Sequence, residues 1–260
     1  MPAIVIIPSR YASSRFPGKP LCLLAGKPMI RHVYERAREA RLVQDVFVAT
    51  DNKLIYETVE GFGGKAIMTS EAHPSGTDRI AEAVEKLQAT GNMLRAADII
   101  VNVQGDEPMI YPQMIDDVIS LMDDERASMG TLAKRIEEEE EIFDPNIVKV
   151  VFNAEGFALY FSRSPIPFHR DEWKDLKHLM IHGSRLAVFK HIGIYAYRKD
   201  VLLSLSKLPS TRLEEIEKLE QLRALENGFR IKVKETEFET IGIDTPMDLE
   251  RVERCLSISL

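Results

Sequence analysis

Cysteine is nearly missing from this chain. Cys22 and Cys255 stand far apart with no CxxC spacing, which excludes a disulfide framework and a cysteine-based zinc site. Isolated reduced thiols suit the cytosol, so a cytoplasmic location is expected. Long apolar runs are missing too: nothing approaches a membrane span, and no membrane partner is expected. The first apolar run is only five residues before Pro8 and has no basic leader, so it does not read as a signal peptide. Positive charge is in the minority. The 34 basic residues against 41 acidic ones leave a net charge of −7, so there is no general basic field and no nucleic-acid partner is expected. A Walker-type phosphate loop is absent, because Gly18-Lys19 runs into Pro20 rather than Ser or Thr. Internal repeats and linkers rich in Pro, Gly or Ser are also lacking, so the 260 residues read as one elaborated domain around a large core.

Against that background the start of the chain stands out. Ile4-Val5-Ile6-Ile7 is fully apolar and reads as a buried parallel strand. It leads into a loop from Pro8 to Pro20 that carries Arg10, Arg15 and Lys19, with Ser13 and Ser14 between them and prolines stiffening its ends. Ligands of open parallel sheets sit beyond the carboxyl ends of the strands, where this loop must lie. Cations gathered in one loop of an acidic protein point to a local polyanion site. The competing reading is a solvated basic loop.

Downstream, strands and helices alternate. The pattern predicts a helix from Lys27-Pro28-Met29 to about Ala40, a strand over Asp45–Thr50 and a helix capped by Asp51-Asn52 that runs to Phe62. A short strand over Lys65–Met68, a helix over 76–89 with Thr77 or Asp78 near its N-cap, and a strand over Asp98–Val103 follow. This rhythm predicts a parallel, doubly wound sheet. In the second half, Val148–Phe152 and Phe157–Ser162 flank a turn as a hairpin. Ala187–Tyr197 reads as a strand, Leu213–Glu226 as one helix and Thr245–Leu256 as the last. His169–Gly183 reads as a surface excursion or arm, and Glu137–Glu141 as a solvated helix face.

Several residues carry possible chemistry. Asp106, in Gln104-Gly105-Asp106-Glu107-Pro108, ends the third strand opposite the cationic loop. A carboxylate there is placed to hold Mg²⁺, which commonly takes one or two carboxylates plus phosphate oxygens. Gly105 lets the backbone approach a ligand closely. Asp244, before Thr245-Pro246, is a second candidate, although it would serve equally as an N-cap. Glu107 either supports the site or is merely exposed. Gly76-Thr77-Asp78-Arg79 puts an arginine inside the positive end of a helix, which needs a ligand or a carboxylate partner. Arg163 and His191 punctuate apolar strand patterns, and a lone strand histidine reads first as a satisfied core residue. Glu217 and Gln221, four apart, would share one helix face. Together, cations and paired polar acceptors suit a small acidic sugar with many hydroxyls.

These motifs, in this order, resemble the CMP-Kdo synthetases, the 3-deoxy-manno-octulosonate cytidylyltransferases of lipopolysaccharide biosynthesis. The matching segments are PSRYASSRFPGKPL (8–21), VATD (48–51), HPSGTDR (73–79), VNVQGDEPMI (101–110), ALYFSR (158–163), KHIGIYAY (190–197), EIEKLEQLR (215–223) and IDTPMDLERV (243–252), while 164–189 has little counterpart. The resemblance implies an α/β, Rossmann-like nucleotidyltransferase fold. Its central sheet is mostly parallel and flanked by helices, with a smaller β-rich lobe for sugar binding and dimerisation. It implies a nucleotide-binding half at 1–125, that lobe at 126–235 and a C-terminal metal-site segment at 236–260. It implies a homodimer that depends on Mg²⁺. By resemblance, Arg10, Ser13, Arg15 and Lys19 hold the CTP phosphates, and Ser75, Gly76, Arg79 and Gln104 surround the cytidine. Asp106 and Asp244 carry magnesium. Arg163, His191, Tyr195, Glu217 and Gln221 line the pocket for the sugar acid, Kdo. Arg15, Lys19, Asp106 and Asp244 are the catalytic candidates. In the implied reaction the anomeric hydroxyl of Kdo attacks the α-phosphorus of CTP and pyrophosphate leaves in line. No side chain is an obvious dedicated base, so metal-assisted deprotonation is expected. The alternatives are a related acceptor such as 8-amino-Kdo, with a sialic-type nonulosonate least in keeping with HPSGTDR, and a nucleotide-binding regulator without turnover.

Overall fold

Burial on both faces defines the first strand. β1 (Ala3–Ser9) sends Ala3, Val5 and Ile7 into one apolar cluster and Ile4 and Ile6 into another, with all five fully buried. A strand buried on both sides needs helices on both sides. The computed structural model describes residues 2–12, 16–90, 98–170, 188–243 and 245–258, and supplies those helices. After a separate two-residue hairpin, β2 (Leu23–Leu24) with β3 (Lys27–Pro28), come α1 (Met29–Arg38), β4 (Val43–Thr50), α2 (Lys53–Gly61), β5 (Ala66–Met68), α3 (Gly76–Ala89) and β6 (Ile99–Asn102). Next are α4 (Pro112–Ser120), β7 (Met129–Arg135), α5 (Glu139–Phe143), β8 (Lys149–Phe152) and β9 (Ala158–Ser162). The chain ends with β10 (Phe189–Arg198), α6 (Lys199–Leu205), α7 (Arg212–Glu217), α8 (Gln221–Glu226), β11 (Ile231–Glu235) and α9 (Pro246–Ile258).

Among the described residues the sheet runs β11-β7-β10-β6-β1-β4-β5, with β8 paired to β10 and β9 to β8. β6, β1, β4 and β5 are parallel neighbours, as are β7 and β11, whereas β10 lies antiparallel between β6 and β7. The expected mostly parallel α/β architecture is present. The second half joins the same sheet through β10. One face packs on Ile30, Val33, Ile55, Val59, Met114 and Val118 of α1, α2 and α4. The other packs on Ile80, Val84, Val201 and Leu202 of α3 and α6. Each fully buried side chain of this kind contributes about 1.5–3 kcal/mol. No helix among the described residues is long and apolar enough to cross a membrane.

Four local expectations are sharpened or changed. The N-cap of α3 is Ser75, with Thr77 and Asp78 in the turn that follows: its Oγ accepts the Asp78 N–H at 3.2 Å and donates to Asp78 Oδ2 at 2.8 Å. The N-cap of α9 is Thr245, which exchanges bonds with Asp248 at 2.8 and 3.3 Å, so Asp244 is not needed for that role. Glu141 is no solvated charge, because it accepts from the buried Lys190 ammonium at 2.6 Å. The helix expected over Leu213–Glu226 is broken. Lys218 takes the left-handed conformation (φ 54°, ψ 47°), and the Leu219 N–H reaches back to Glu214 O at 3.3 Å. Two contacts explain the break. The Glu217 carboxylate is drawn to β9 by Ser162 Oγ and the Arg163 N–H, at 2.6 and 3.0 Å. Arg223 meanwhile grips Glu214 with two bonds across the break, at 2.8 and 2.5 Å. Glu217 and Gln221 therefore do not share a helix face. Of the arm expected over His169–Gly183, His169 is buried, while 171–183 lies outside the described residues.

Candidate functional site

β1 and β6 run parallel side by side, with Ile6 opposite Asn102, so the loops at their carboxyl ends adjoin. Gly105 makes the approach possible: a Cβ there would lie 2.7 Å from Ser9 Oγ and 3.0 Å from Pro8 O. Between these loops and the N-terminus of α3 is a cavity of about 370 Å³. The β1 loop contributes Ser9, Arg10 and Lys19, the start of α3 contributes Ser75, Gly76 and Arg79, and the β6 loop contributes Gln104 and Asp106. Lys19 Nζ donates to Asp106 Oδ2 at 2.7 Å. Asp106 Oδ1 has no partner among the described residues. The Ile243 N–H donates to Asp106 O at 2.9 Å, which brings the chain just before position 244 alongside. Ser13, Arg15 and Asp244 lie outside the described residues.

The polar groups Arg79 and Ser9 on this cavity's wall, and Glu107 next to Asp106 but off the lining, have different surroundings. Arg79 is buried and bound to Asp51 and to Thr69 Oγ1 at 2.6 Å, so its required carboxylate partner is Asp51. Ser9 is 3% exposed, yet its Oγ has no partner among the described residues. Glu107 is not merely exposed. Burial pushes its carboxyl up to about 8, the neighbouring Asp106 charge adds to this, and its buried Oε2 has no hydrogen-bond partner among the described residues.

A second cavity, of about 340 Å³, opens on the far side of Gly76 and Gln104, which line both. His191, Tyr195 and Gln221 stand on its wall as expected from the sequence. Glu220, Thr77, Tyr197 and Arg223 stand there too, and the sequence reading named none of them as a site residue. The Glu220 carboxylate accepts from Ser75 Oγ at 3.2 Å and Thr77 Oγ1 at 3.1 Å, and burial raises its pKa. Tyr195 and Tyr197 are raised by burial, so both keep their phenol protons. Burial drives the His191 imidazole down to about 3, which makes it neutral at working pH. Arg163 and Glu217 are not on the lining of either cavity. Arg163 Nε donates to Glu217 O at 2.7 Å and Nη1 to Pro145 O at 2.8 Å. The only sequence signal for Glu220 was its place beside Gln221; the αL break that turns it inward has no sequence mark, since Lys218 is not a glycine.

The geometry is thus a cation-and-carboxylate cavity joined to an aromatic one whose two charged residues, Glu220 and Arg223, are already held by Ser75, Thr77 and Glu214. Residues 4–236 match the family model described as cytidylyltransferase. The 3-deoxy-manno-octulosonate cytidylyltransferase of Thermodesulfovibrio yellowstonii is 58% identical over 257 residues, 99% of each chain. The chain belongs to this family. The 3-deoxy-manno-octulosonate cytidylyltransferase of Geobacter sulfurreducens is 55% identical, over 95% of this chain and 96% of its own. A solved CMP:2-keto-3-deoxy-manno-octonic acid synthetase, complexed with CTP, superposes with a TM-score of 0.89 at 44% identity and full coverage of both chains. As a member of the 3-deoxy-manno-octulosonate cytidylyltransferase family, the chain is a nucleotidyltransferase with two adjoining cavities at its sheet's carboxyl edge.

Proposed function

We propose that this enzyme transfers CMP from CTP to the anomeric hydroxyl of Kdo, giving CMP-Kdo and pyrophosphate. The observation that carries the reading is the common wall of Gly76 and Gln104, which lets a nucleotide in one cavity meet an acceptor in the other. Two substrates held at one boundary react with a large entropic advantage. In this reading Arg10 and Lys19 face the triphosphate, and Lys19 meets the charge that builds on the departing pyrophosphate. Each charge-assisted contact contributes about 1.5–3 kcal/mol. The free N–H groups at the start of α3 add a second anion-favouring surface at the boundary. Tyr195, Gln221 and Glu220 offer donors and acceptors for the sugar hydroxyls, and Arg163, proposed for its carboxylate, has to leave Glu217 O and Pro145 O to reach the second cavity.

The donor set fits Mg²⁺: Asp106 keeps one carboxylate oxygen without a described partner on a cavity lined by Arg10, Lys19 and Arg79. Asp106, with Asp244 by resemblance, would hold the ion, which when bound neutralises phosphate charge and acidifies the attacking hydroxyl. The same reading carries the expected homodimer, a cytoplasmic location and use of the product in lipopolysaccharide biosynthesis. The test is pyrophosphate release with Mg²⁺ and CTP, in parallel with ATP, GTP and UTP, against Kdo and 8-amino-Kdo. Release with CTP and Kdo is expected. Release with the amino sugar alone would overturn the acceptor, and silence with every acceptor would overturn the reaction.

A further inference from the structure

The strand that carries His191 contains an irregularity. Along β10, Ile192 faces Leu132 but Tyr195 faces Thr131, so Gly193 and Ile194 have no counterpart on β7. Such bulges re-aim side chains, and here the distortion gathers three groups around one hydroxyl. Thr131 is fully buried, and its Oγ1 lies 2.8 Å from Ile194 O, 3.1 Å from Ile192 O and 2.9 Å from His191 Nε2.

Proton counting then fixes the histidine. A threonine hydroxyl owns one proton, and a carbonyl oxygen can only accept. Thr131 therefore directs its proton to the carbonyl pair and turns a lone pair toward Nε2. The reverse arrangement would spend that proton on Nε2 and leave buried carbonyls without this donor, at a cost of roughly 1–3 kcal/mol. Nε2 must accordingly carry the ring proton. Burial keeps the ring from taking a second one. Nδ1 has no partner among the described residues, and the ring stands on the wall of the second cavity.

We propose that Thr131 is a positioning residue that locks His191 in its Nε2–H tautomer, so that Nδ1 offers the second cavity a lone pair that selects a hydroxyl of the sugar acid. A lone pair of this kind accepts from a hydroxyl and repels a carboxylate. His191 thus turns the acceptor's hydroxylated side toward β10 and leaves its carboxylate for a cation elsewhere. This inference rests on the Kdo reading only for the identity of the ligand. The tautomer is a property of the free protein.

Two measurements on the full-length enzyme test it. Nitrogen-15 spectra of labelled imidazoles in the free protein at pH 7 are expected to place the His191 proton on Nε2 in wild type and in Thr131→Ser. Thr131→Val should lose that preference and raise KM for Kdo about tenfold, with kcat and KM for CTP within twofold, and Thr131→Ser should restore KM. A proton on Nδ1 or an imidazolium in the wild type overturns the proposal. So does a folded Thr131→Val with unchanged tautomer and KM. If Thr131→Val does not fold, the wild-type and Thr131→Ser spectra still decide. Should the tautomer respond as expected while Kdo is not a substrate, the acceptor assignment fails and the lock stands.

Discussion

The two cavities share a wall and are built on opposite principles. The first is assembled from loops that follow neighbouring strand ends, and it presents Arg10, Lys19 and the half-open carboxylate of Asp106. The second draws on α3, β6, β10 and α8, and it presents buried phenols, a neutral imidazole and a carboxylate already held by two hydroxyls. A nucleotide can be met with charge, because phosphates keep much of their solvent and counter-charge. A polyhydroxylated sugar has to be met by groups whose donors and acceptors are fixed in advance, since low dielectric makes every unpaired group costly. The difference predicts that the first cavity governs turnover and the second governs acceptor affinity.

The largest effect should come from breaking the first cavity. Asp106→Asn keeps the shape and removes the charge opposite Lys19, and kcat should fall by roughly 10²–10³, as when one preorganised electrostatic partner is lost. KM for Kdo should move little. A variant that kept kcat within threefold, or that changed only KM for Kdo, would place the chemistry away from Asp106.

The second cavity should announce itself in acid. His191 titrates at about 3 in the folded protein against an ordinary 6.5, because burial opposes its charge. Its neighbours Phe161, Tyr195 and Thr131 carry no charge at neutral pH, so none offsets that penalty. The unfolded chain therefore takes up the proton first. Stability from this group is complete above pH 6.5 and is lost as pH falls toward 3. At about 1.4 kcal/mol per unit, the loss reaches roughly 2–4 kcal/mol. Urea denaturation of His191→Gln between pH 4 and 7 should show a flatter acid limb than wild type. Parallel limbs would mean that the ring is not buried as described.

A smaller effect separates binding from folding in the first cavity. Ser9 buries a hydroxyl without a described partner, which costs the free protein and is useful only if a ligand supplies the acceptor. Ser9→Ala should leave the free enzyme as stable or slightly more so, while weakening CTP by roughly 3–10-fold, or about 1 kcal/mol. Titrating cytidine, CMP and CTP would locate the lost contact. Lower stability with unchanged CTP affinity would make Ser9 a structural residue instead.

How much of this was legible in the sequence follows the same division. The first cavity lies in contiguous stretches, so the apolar run before Pro8, the Gly105-Asp106 pair and the Ser75-Gly76 helix start each carried their own local signal. The alternation of apolar runs with amphipathic segments likewise gave the sheet and its helices. Asp51 as the partner of Arg79 was not legible, because a buried ion pair 28 positions apart leaves no local pattern. The bulge at Gly193-Ile194 and the inward turn of Glu220 were hidden for another reason. Both arise from tertiary contacts that override local preference: Thr131 acting on two carbonyls, and Ser162 and Arg163 capturing Glu217.

The break at Lys218 is where the sequence reading and the structure differ most sharply, and it can be tested by a sign. Lys218 is exposed and left-handed, a conformation that costs an L-residue roughly 1–2 kcal/mol and glycine none. Glycine gives back about 0.5–1 kcal/mol in the unfolded chain. Lys218→Gly should therefore raise stability by about 0.5–1 kcal/mol, whereas Lys218→Ala, which keeps the strain, should not. In an unbroken helix the order would reverse, because glycine is about 1 kcal/mol worse than alanine in a helix interior. Thermal unfolding of the two variants side by side thus decides whether the chain turns at Lys218 and delivers Glu220 to the second cavity. If alanine proves the more stable, Glu217 and Gln221 return to one helix face and the wall of that cavity has to be redrawn.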